Sequence, residues 1–204
     1  MTLTYENLDG IIQVSGINGE PKDGIIDIPG ICNLGPVKKI KDNAFQKNQL
    51  IKKVFIGNGI EIIGEEAFYL CEKIEHIVIP ETVTCIKGRV FRHHGNTIME
   101  ITCTVIFEGQ SRLNEVGCYT FTNMRNIIIY YCGENSPSIL NVGIFDGSPN
   151  KIIYSSTISS FCGANTTPNP TGCHKSGLSN NLYRTMKCHN FVVFEFFIHF
   201  FLIS

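Results

Sequence analysis

The chain has 204 residues, of which 43% are hydrophobic and 17% are charged, as in an ordinary folded domain. Seventeen lysines and arginines are balanced by 18 acidic residues, so no global positive field exists to attract nucleic acid or an anionic membrane. We therefore expect no nucleic-acid partner. Thirty isoleucines against 10 leucines favour strands over long helices, because β-branched side chains suit a pleated sheet.

The N-terminal segment MTLTYENLDGIIQVSG has neither the basic start nor the apolar core of a secretory signal peptide, so we expect none there. We interpret residues 1–38 as a strand-rich lead-in that caps the elements after it. Its last part, in DIPGICNLGPVKKIKDNAF, already contains an Ile-Pro pair that returns later in the chain.

A repeat follows the lead-in. Phe45, Phe68 and Phe91 are separated by intervals of 23 residues. After the first two, apolar residues recur at the same offsets of 6, 9, 11, 15 and 18, and an alanine precedes each phenylalanine. A fixed period in this range predicts a solenoid, in which each unit is one small supersecondary element.

Less regular copies continue the repeat. Phe121 keeps the early offsets with Ile127, Tyr130 and Cys132, and a last partial copy centres on Phe145. The interval from Phe91 to Phe121 is 30 residues, which indicates an insertion of about seven around HHGNTIMEITC. We assign residues 39–158 to the repeats.

One unit, IIGEEAFYLCEKIEHIVIPETVTCIK, predicts how each coil is built. The apolar alternation of Ile77 and Ile79 predicts a short strand with these two residues inward, and Pro80 ends that strand because it cannot donate a ladder hydrogen bond. Gly64 predicts a tight return with positive φ, and the small Ala67 predicts close approach of neighbouring coils.

At these residues the sequence resembles the BspA-like leucine-rich repeat family, also called the Treponema pallidum type. The segment IGEEAFYLCEKIEHIVIPETVTCI is similar nearly column for column to IG-x-x-AF-x-x-C-x-x-L-x-x-I-x-IP-x-x-V-x-x-I, with Ile74 where leucine is usual. Lys41 and Lys87 at the glycine position, and Val90 at the alanine position, depart from the pattern.

The resemblance implies a mainly β solenoid: a right-handed coil with a parallel sheet along one side and short turns or helical pieces on the other. It also implies a protein-interaction or adhesion module, such as a surface antigen, that binds a protein or an extracellular matrix component at the cell surface. No catalytic residue comes with it. The alternative is a structural or truncated repeat fragment without a ligand of its own.

Outward positions of the predicted sheet narrow the search for a binding surface. Residues at the offsets that alternate with the inward ones are predicted to lie side by side on the exposed face. There they form an apolar and aromatic stripe, which indicates a binding surface. The other reading is that these β-prone residues only stabilise neighbouring strands. The candidate binding residues are Lys53, Phe55, His76, Val78, Ile129 and Tyr131.

Enzyme, metal and cofactor chemistry receive little support. The chain has no nucleophile elbow, P-loop, HExxH or dinucleotide fingerprint, so we predict neither catalytic residues nor a cofactor. Its nine cysteines include no CxxC, and Cys71 falls at an inward position. Cys173, His174, Cys188 and His189 offer four zinc ligands, but at a spacing unlike a standard finger, so we predict no metal site.

Residues 159–204 leave the repeat. GANTTPNPTGCHKSGLSNN is rich in turn formers and predicts a linker, and Asn165 begins a glycosylation sequon. The final FVVFEFFIHFFLIS is apolar but shorter than a membrane span and is interrupted by Glu195 and His199, so we expect no membrane anchoring from this chain alone. A lipid-anchor signal, a docked cap and a truncation remain alternatives for this tail.

Overall fold

The computed structural model describes residues 1–94, 101–140 and 143–168, in which sixteen strands and one 3-10 turn at Lys22–Gly24 are found. No α-helix occurs in this part of the chain, and hence no helix that could cross a membrane. In chain order the strands are β1 (Thr2–Leu8), β2 (Ile11–Asn18), β3 (Ile25–Ile28), β4 (Ile31–Cys32), β5 (Gly35–Ile40), β6 (Lys53–Ile56), β7 (Ile62–Ile63), β8 (His76–Ile79), β9 (Cys85–Ile86), β10 (Thr102–Phe107), β11 (Glu115–Gly117), β12 (Asn126–Tyr130), β13 (Ser138–Leu140), β14 (Asn150–Tyr154), β15 (Ser160–Phe161) and β16 (Ala164–Asn165).

Successive coils stack these strands into two sheets. The first sheet has six parallel strands in the order β3-β6-β8-β10-β12-β14. The second runs β1-β2-β5-β7-β9-β11-β13, parallel except for β1 on β2, with β4 antiparallel beside β5. The predicted β solenoid is confirmed. The second parallel sheet was not predicted, because its strands β7, β9 and β11 in the repeats are only two or three residues long and show no alternation.

Inward side chains of the two sheets form the core. Residues at the same register on neighbouring strands lie above one another, so each inward column is a continuous row of aliphatic side chains, each contributing about 1.5–3 kcal/mol of burial. The first sheet gives the column Ile26, Val54, Ile77, Val105, Ile129 and Ile153, and the second gives Val14, Ile40, Ile63, Ile86 and Val116.

Five phenylalanines close the third side of each coil. Their rings stack nearly parallel, with centroids 5.0, 5.6, 5.8 and 5.7 Å apart along the chain, and we call this row the phenylalanine stack: Phe45, Phe68, Phe91, Phe121 and Phe145. Main-chain hydrogen bonds link the same turns, as when the Phe68 N–H donates to the Val90 carbonyl at 3.1 Å. The irregular units therefore stack in the same way as the regular ones.

The turns of the phenylalanine stack share an unusual backbone. The residue two positions before each ring has positive φ, between 55° and 87°, although only the last is glycine: Asn43, Glu66, Arg89, Tyr119 and Gly143. An ordinary side chain in this left-handed region costs about 1–2 kcal/mol. The stacked turns hold it there through bonds such as Glu66 N–H to the Gly88 carbonyl, at 3.0 Å.

Gly64 serves a different purpose from the one predicted. Its φ is not positive, so the prediction of a left-handed glycine was wrong here. Instead, a Cβ at this position would lie 2.6 Å from both the Asp42 nitrogen and the Ile40 oxygen. Glycine suits this position because the backbone of the preceding coil passes directly against it.

The C-terminal end of the solenoid is covered by residues 155–168, which we call the end cap. Phe161 is fully buried, with its ring 4.8 Å from that of Tyr131 and 5.8 Å from that of Phe107. The Thr167 N–H donates to the Ile153 carbonyl at 2.7 Å, on the open edge of β14. The end cap thus includes residues 159–168, which the sequence pattern predicts as linker, and residues 169–204 lie outside the described part.

Replacement of Phe68 tests the phenylalanine stack. Phe68→Ala removes a fully buried ring that has a stacked neighbour on each side, and we expect a loss of about 3–5 kcal/mol in the free energy of unfolding, measured by urea denaturation. Phe145→Ala is the control, because Phe145 is half-buried. Equal losses for the two variants would contradict a stack that stabilises through both faces of each ring.

The close approach at Gly64 gives a second prediction. Gly64→Ala should cost about 1–3 kcal/mol, because the new methyl group meets main-chain atoms that cannot move independently. Gly88→Ala is the matched control, since the nearest atom to its Cβ position lies at 3.4 Å and its φ is not positive. Thermal unfolding of both variants checks this, and a Gly64→Ala protein as stable as the control would refute the steric argument.

Candidate functional site

The outward side chains of the first sheet form two rows, which together we call the outer face. Strand pairing fixes their members, because residues at equal register on parallel strands lie side by side. Row one contains Ile25, Lys53, His76, Thr104, Ile128 and Ile152; row two contains Asp27, Phe55, Val78, Ile106, Tyr130 and Tyr154.

Apolar and aromatic side chains dominate the outer face. Ile152 is 44% exposed, and the rings of Tyr130 and Tyr154 stack with centroids 5.1 Å apart. At the beginning of the same two strands, Asn150 donates from its amide to the Asn126 side-chain oxygen at 2.8 Å. The C-terminal half of the outer face therefore consists of two successive strands with equivalent asparagine, isoleucine and tyrosine side chains.

Four of the six predicted binding residues lie on the outer face. Lys53 and His76 are neighbours in row one, and Phe55 and Val78 are neighbours in row two. Lys53, Phe55 and His76 are half-buried, whereas Val78 is only 6% exposed because the strands on both sides cover it. A partner can therefore contact the first three, with Val78 as the floor between them.

The predicted outward orientation of Ile129 and Tyr131 was wrong. Both are fully buried: Ile129 belongs to the inward column, and the Tyr131 hydroxyl donates to the Asn135 carbonyl at 2.8 Å. The reason is a shorter approach to the strand. Nine residues separate Phe68 from inward Ile77, but only eight separate Phe121 from inward Ile129. A slip of one residue transfers each side chain of a strand to the opposite face.

The residues that replace them on the outer face are Ile128 and Tyr130. The offsets of the repeat predict Tyr130 as an inward residue, and the predicted binding residues include neither Ile152 nor Tyr154. Comparison of the segments NIIIY and NKIIY would have found them, because the structure pairs these two strands residue for residue, Asn126 with Asn150 and Tyr130 with Tyr154.

The exposed side of the second sheet has a different character. Lys38 pairs with Glu61 at 2.6 Å, and Lys87 pairs with Glu115 at 3.0 Å. Lys41 reaches back to Glu6 at 2.8 Å. These charged groups satisfy one another across neighbouring coils, although the strands at the ends of this sheet also expose Leu8, Ile11 and Ile139. The outer face instead presents aromatic and aliphatic side chains along its whole length. The outer face is therefore the better candidate for binding.

Burial shifts two titrating groups on the outer face. It lowers the pKa of His76, and the positive charge of Lys53 adds to this effect while Glu75 opposes it. Burial raises the pKa of Tyr130, with a further contribution from Tyr154. At neutral pH the outer face therefore presents an uncharged imidazole at His76 and an uncharged phenol at Tyr130, which suits contact with an apolar partner.

The described residues contain no group of three or more histidine, cysteine or acidic side chains that could hold a metal ion. Cys71 and Cys103 are buried free thiols, and burial raises the pKa of each to about 12, so they pack as small apolar groups. The four residues considered as zinc ligands, Cys173, His174, Cys188 and His189, lie outside the described residues.

Comparison with known protein families gives one result. The family model described as "BspA type Leucine rich repeat region" matches residues 38–164 in six copies. This match includes all strands from β6 to β15 and hence most of the outer face. No curated protein and no solved structure matches the chain.

The buried histidines predict how stability depends on pH. His76 and His93 both have a pKa lowered mainly by burial, so the unfolded chain binds protons that the folded chain resists. The free energy of unfolding should therefore be highest above about pH 6.5 and fall as the pH drops below it. Urea denaturation at pH 8 and pH 5.5 measures this, with His76→Gln/His93→Gln as a variant whose stability should change less. An equal decrease in both proteins would assign the effect to other groups.

Proposed function

Because the chain belongs to the BspA-type leucine-rich repeat family, we propose that its outer face is the surface on which it binds a protein partner. Repeats of this kind commonly mediate protein interactions and are typically not enzymes. The observation that supports the outer face is its apolar stripe, which runs over all six strands of the first sheet and ends in the Tyr130–Tyr154 pair.

The composition of the outer face agrees with this role. Binding energy in protein interfaces is concentrated in a few large side chains, and tyrosine is among the residue types enriched there. Phe55, Tyr130 and Tyr154 are such anchors, and Lys53 adds a polar contact beside them. Ion-paired side chains on the second sheet offer a partner less binding energy, because an exposed ion pair in water contributes only about 0–1 kcal/mol.

We further propose that this binding serves adhesion at the cell surface, with a protein or matrix component as the partner. The support is the family resemblance, which is specific over residues 38–164. Impermeant labelling of intact cells that produce the protein tests its location. If only lysed cells label, the adhesion proposal fails, while a protein-binding role for the outer face inside the cell would still stand.

Disruption of the outer face tests binding directly. Phe55→Asp/Tyr130→Asp places two charges on the apolar stripe, and Ile31→Asp, at a residue 68% exposed on the N-terminal lead-in, is the matched control. Immobilised wild type and both variants are incubated with the surface-protein fraction and with matrix proteins, and captured proteins are compared quantitatively. We expect wild type and Ile31→Asp to capture at least one protein in similar amounts. The double variant should capture about tenfold less of that protein, or still less, because a loss of about 1.4 kcal/mol in binding free energy lowers affinity tenfold.

Unfolding must be excluded before the capture result is interpreted. Thermal melting of the double variant should stay close to that of wild type, because both substituted side chains point away from the core. If folded wild type and folded double variant capture the same proteins in equal amounts, the outer face is not the binding surface, and the alternative of a structural repeat fragment is favoured.

A further inference from the structure

This inference rests on the proposal above that the outer face binds a protein. The backbone hydrogen bonds and the charges around the outer face then indicate which secondary structure of the partner contacts it. We propose that the partner contributes an amphipathic α-helix of about four turns, which lies across the strands with its apolar stripe on rows one and two.

Main-chain hydrogen bonding favours a helix over an extended segment. The inner strands of the first sheet, β6 to β12, each pair with a strand on both sides, so their N–H and C=O groups are used within the sheet. A segment that docks on the face rather than at an edge gains no ladder bonds from it. It must satisfy its own main-chain groups when it buries them, and a helix does so internally.

The dimensions of the outer face agree with one helix. Six strands spaced about 4.8 Å apart extend about 24 Å from β3 to β14. At about 1.5 Å per residue, a helix of roughly 16 residues covers that length. The two rows are two residues apart along each strand, or about 7 Å. A helix about 10 Å wide contacts both rows at once.

Charges around the sheet define the flanks of this helix. All strands are parallel, so their beginnings lie along one side and their ends along the other. Lys53 lies at the beginning of β6 and Arg125 directly before β12, with Glu75 before β8 as an opposite charge, whereas Glu81 and Glu134 follow the ends of β8 and β12. A helix with acidic residues along one flank and basic residues along the other complements both sides.

Selection from two peptide libraries tests this inference. One library holds 18-residue peptides on an alanine-rich helical framework with one randomised face. The other has the same length and randomised positions but carries prolines that prevent a helix. Both are displayed and selected on the wild-type protein, and clones that also bind folded Phe55→Asp/Tyr130→Asp are discarded.

We expect clones dependent on the outer face from the helical library, with acidic and basic residues on opposite flanks. Their affinity should fall about tenfold when a proline is placed at the peptide's centre, and severalfold on Lys53→Glu, but not on Ile31→Asp. If such clones arise mainly from the proline library, or from neither library, the helix is wrong. Binding of natural partners to the outer face is tested separately by the capture comparison, so the two failures are distinguishable.

Discussion

Each coil of the solenoid pairs with its neighbours through parallel main-chain hydrogen bonds, so every residue lies over the residue at the same register in the next coil. That pairing turns a sequence repeat into columns. Inward columns become a continuous aliphatic core, the turn position becomes the phenylalanine stack, and outward columns become the two rows of the outer face. One unit alone could not cover its apolar side chains, whereas a stack covers all of them except at its two ends.

Stacking in register leaves apolar side chains uncovered at the end of the solenoid and unfavourable backbone angles in the turns, and the protein compensates for both. At the C-terminal end, Phe161 of the end cap covers the rings of Phe107 and Tyr131, and Thr167 occupies part of the β14 edge. In the turns, stacking holds residues such as Glu66 and Arg89 at positive φ, a conformation that isolated side chains avoid. At positions 41 and 87, where lysine replaces the glycine of the repeat, the N–H still donates to the preceding coil, to Val14 and Ile63 respectively, at 2.9 Å.

Much of the fold could be predicted from the sequence, because columns of Phe, Ile and Val at fixed offsets report directly on the inward positions. The second sheet could not, since Ile62–Ile63 and Cys85–Ile86 are too short to show a period. The prediction of which side chains point outward was correct where the repeat is regular, at Lys53, Phe55, His76 and Val78. It failed at Ile129 and Tyr131, where one missing residue before the strand shifted the register, and alternation amplifies such a shift into a complete exchange of faces.

The shared register also gives the two sheets different surface chemistry. On the second sheet, neighbouring coils place lysine beside glutamate, so its exposed side is satisfied within the protein. On the first sheet, neighbouring coils place aromatic beside aliphatic side chains, and the lowered pKa of His76 leaves even that position uncharged at neutral pH. Burial of this surface by a partner removes apolar area from water without desolvating many charges, so the cost that usually opposes burial of a polar surface is small. The repeat thereby provides one side on which charges are paired within the protein and one apolar side that a partner can cover.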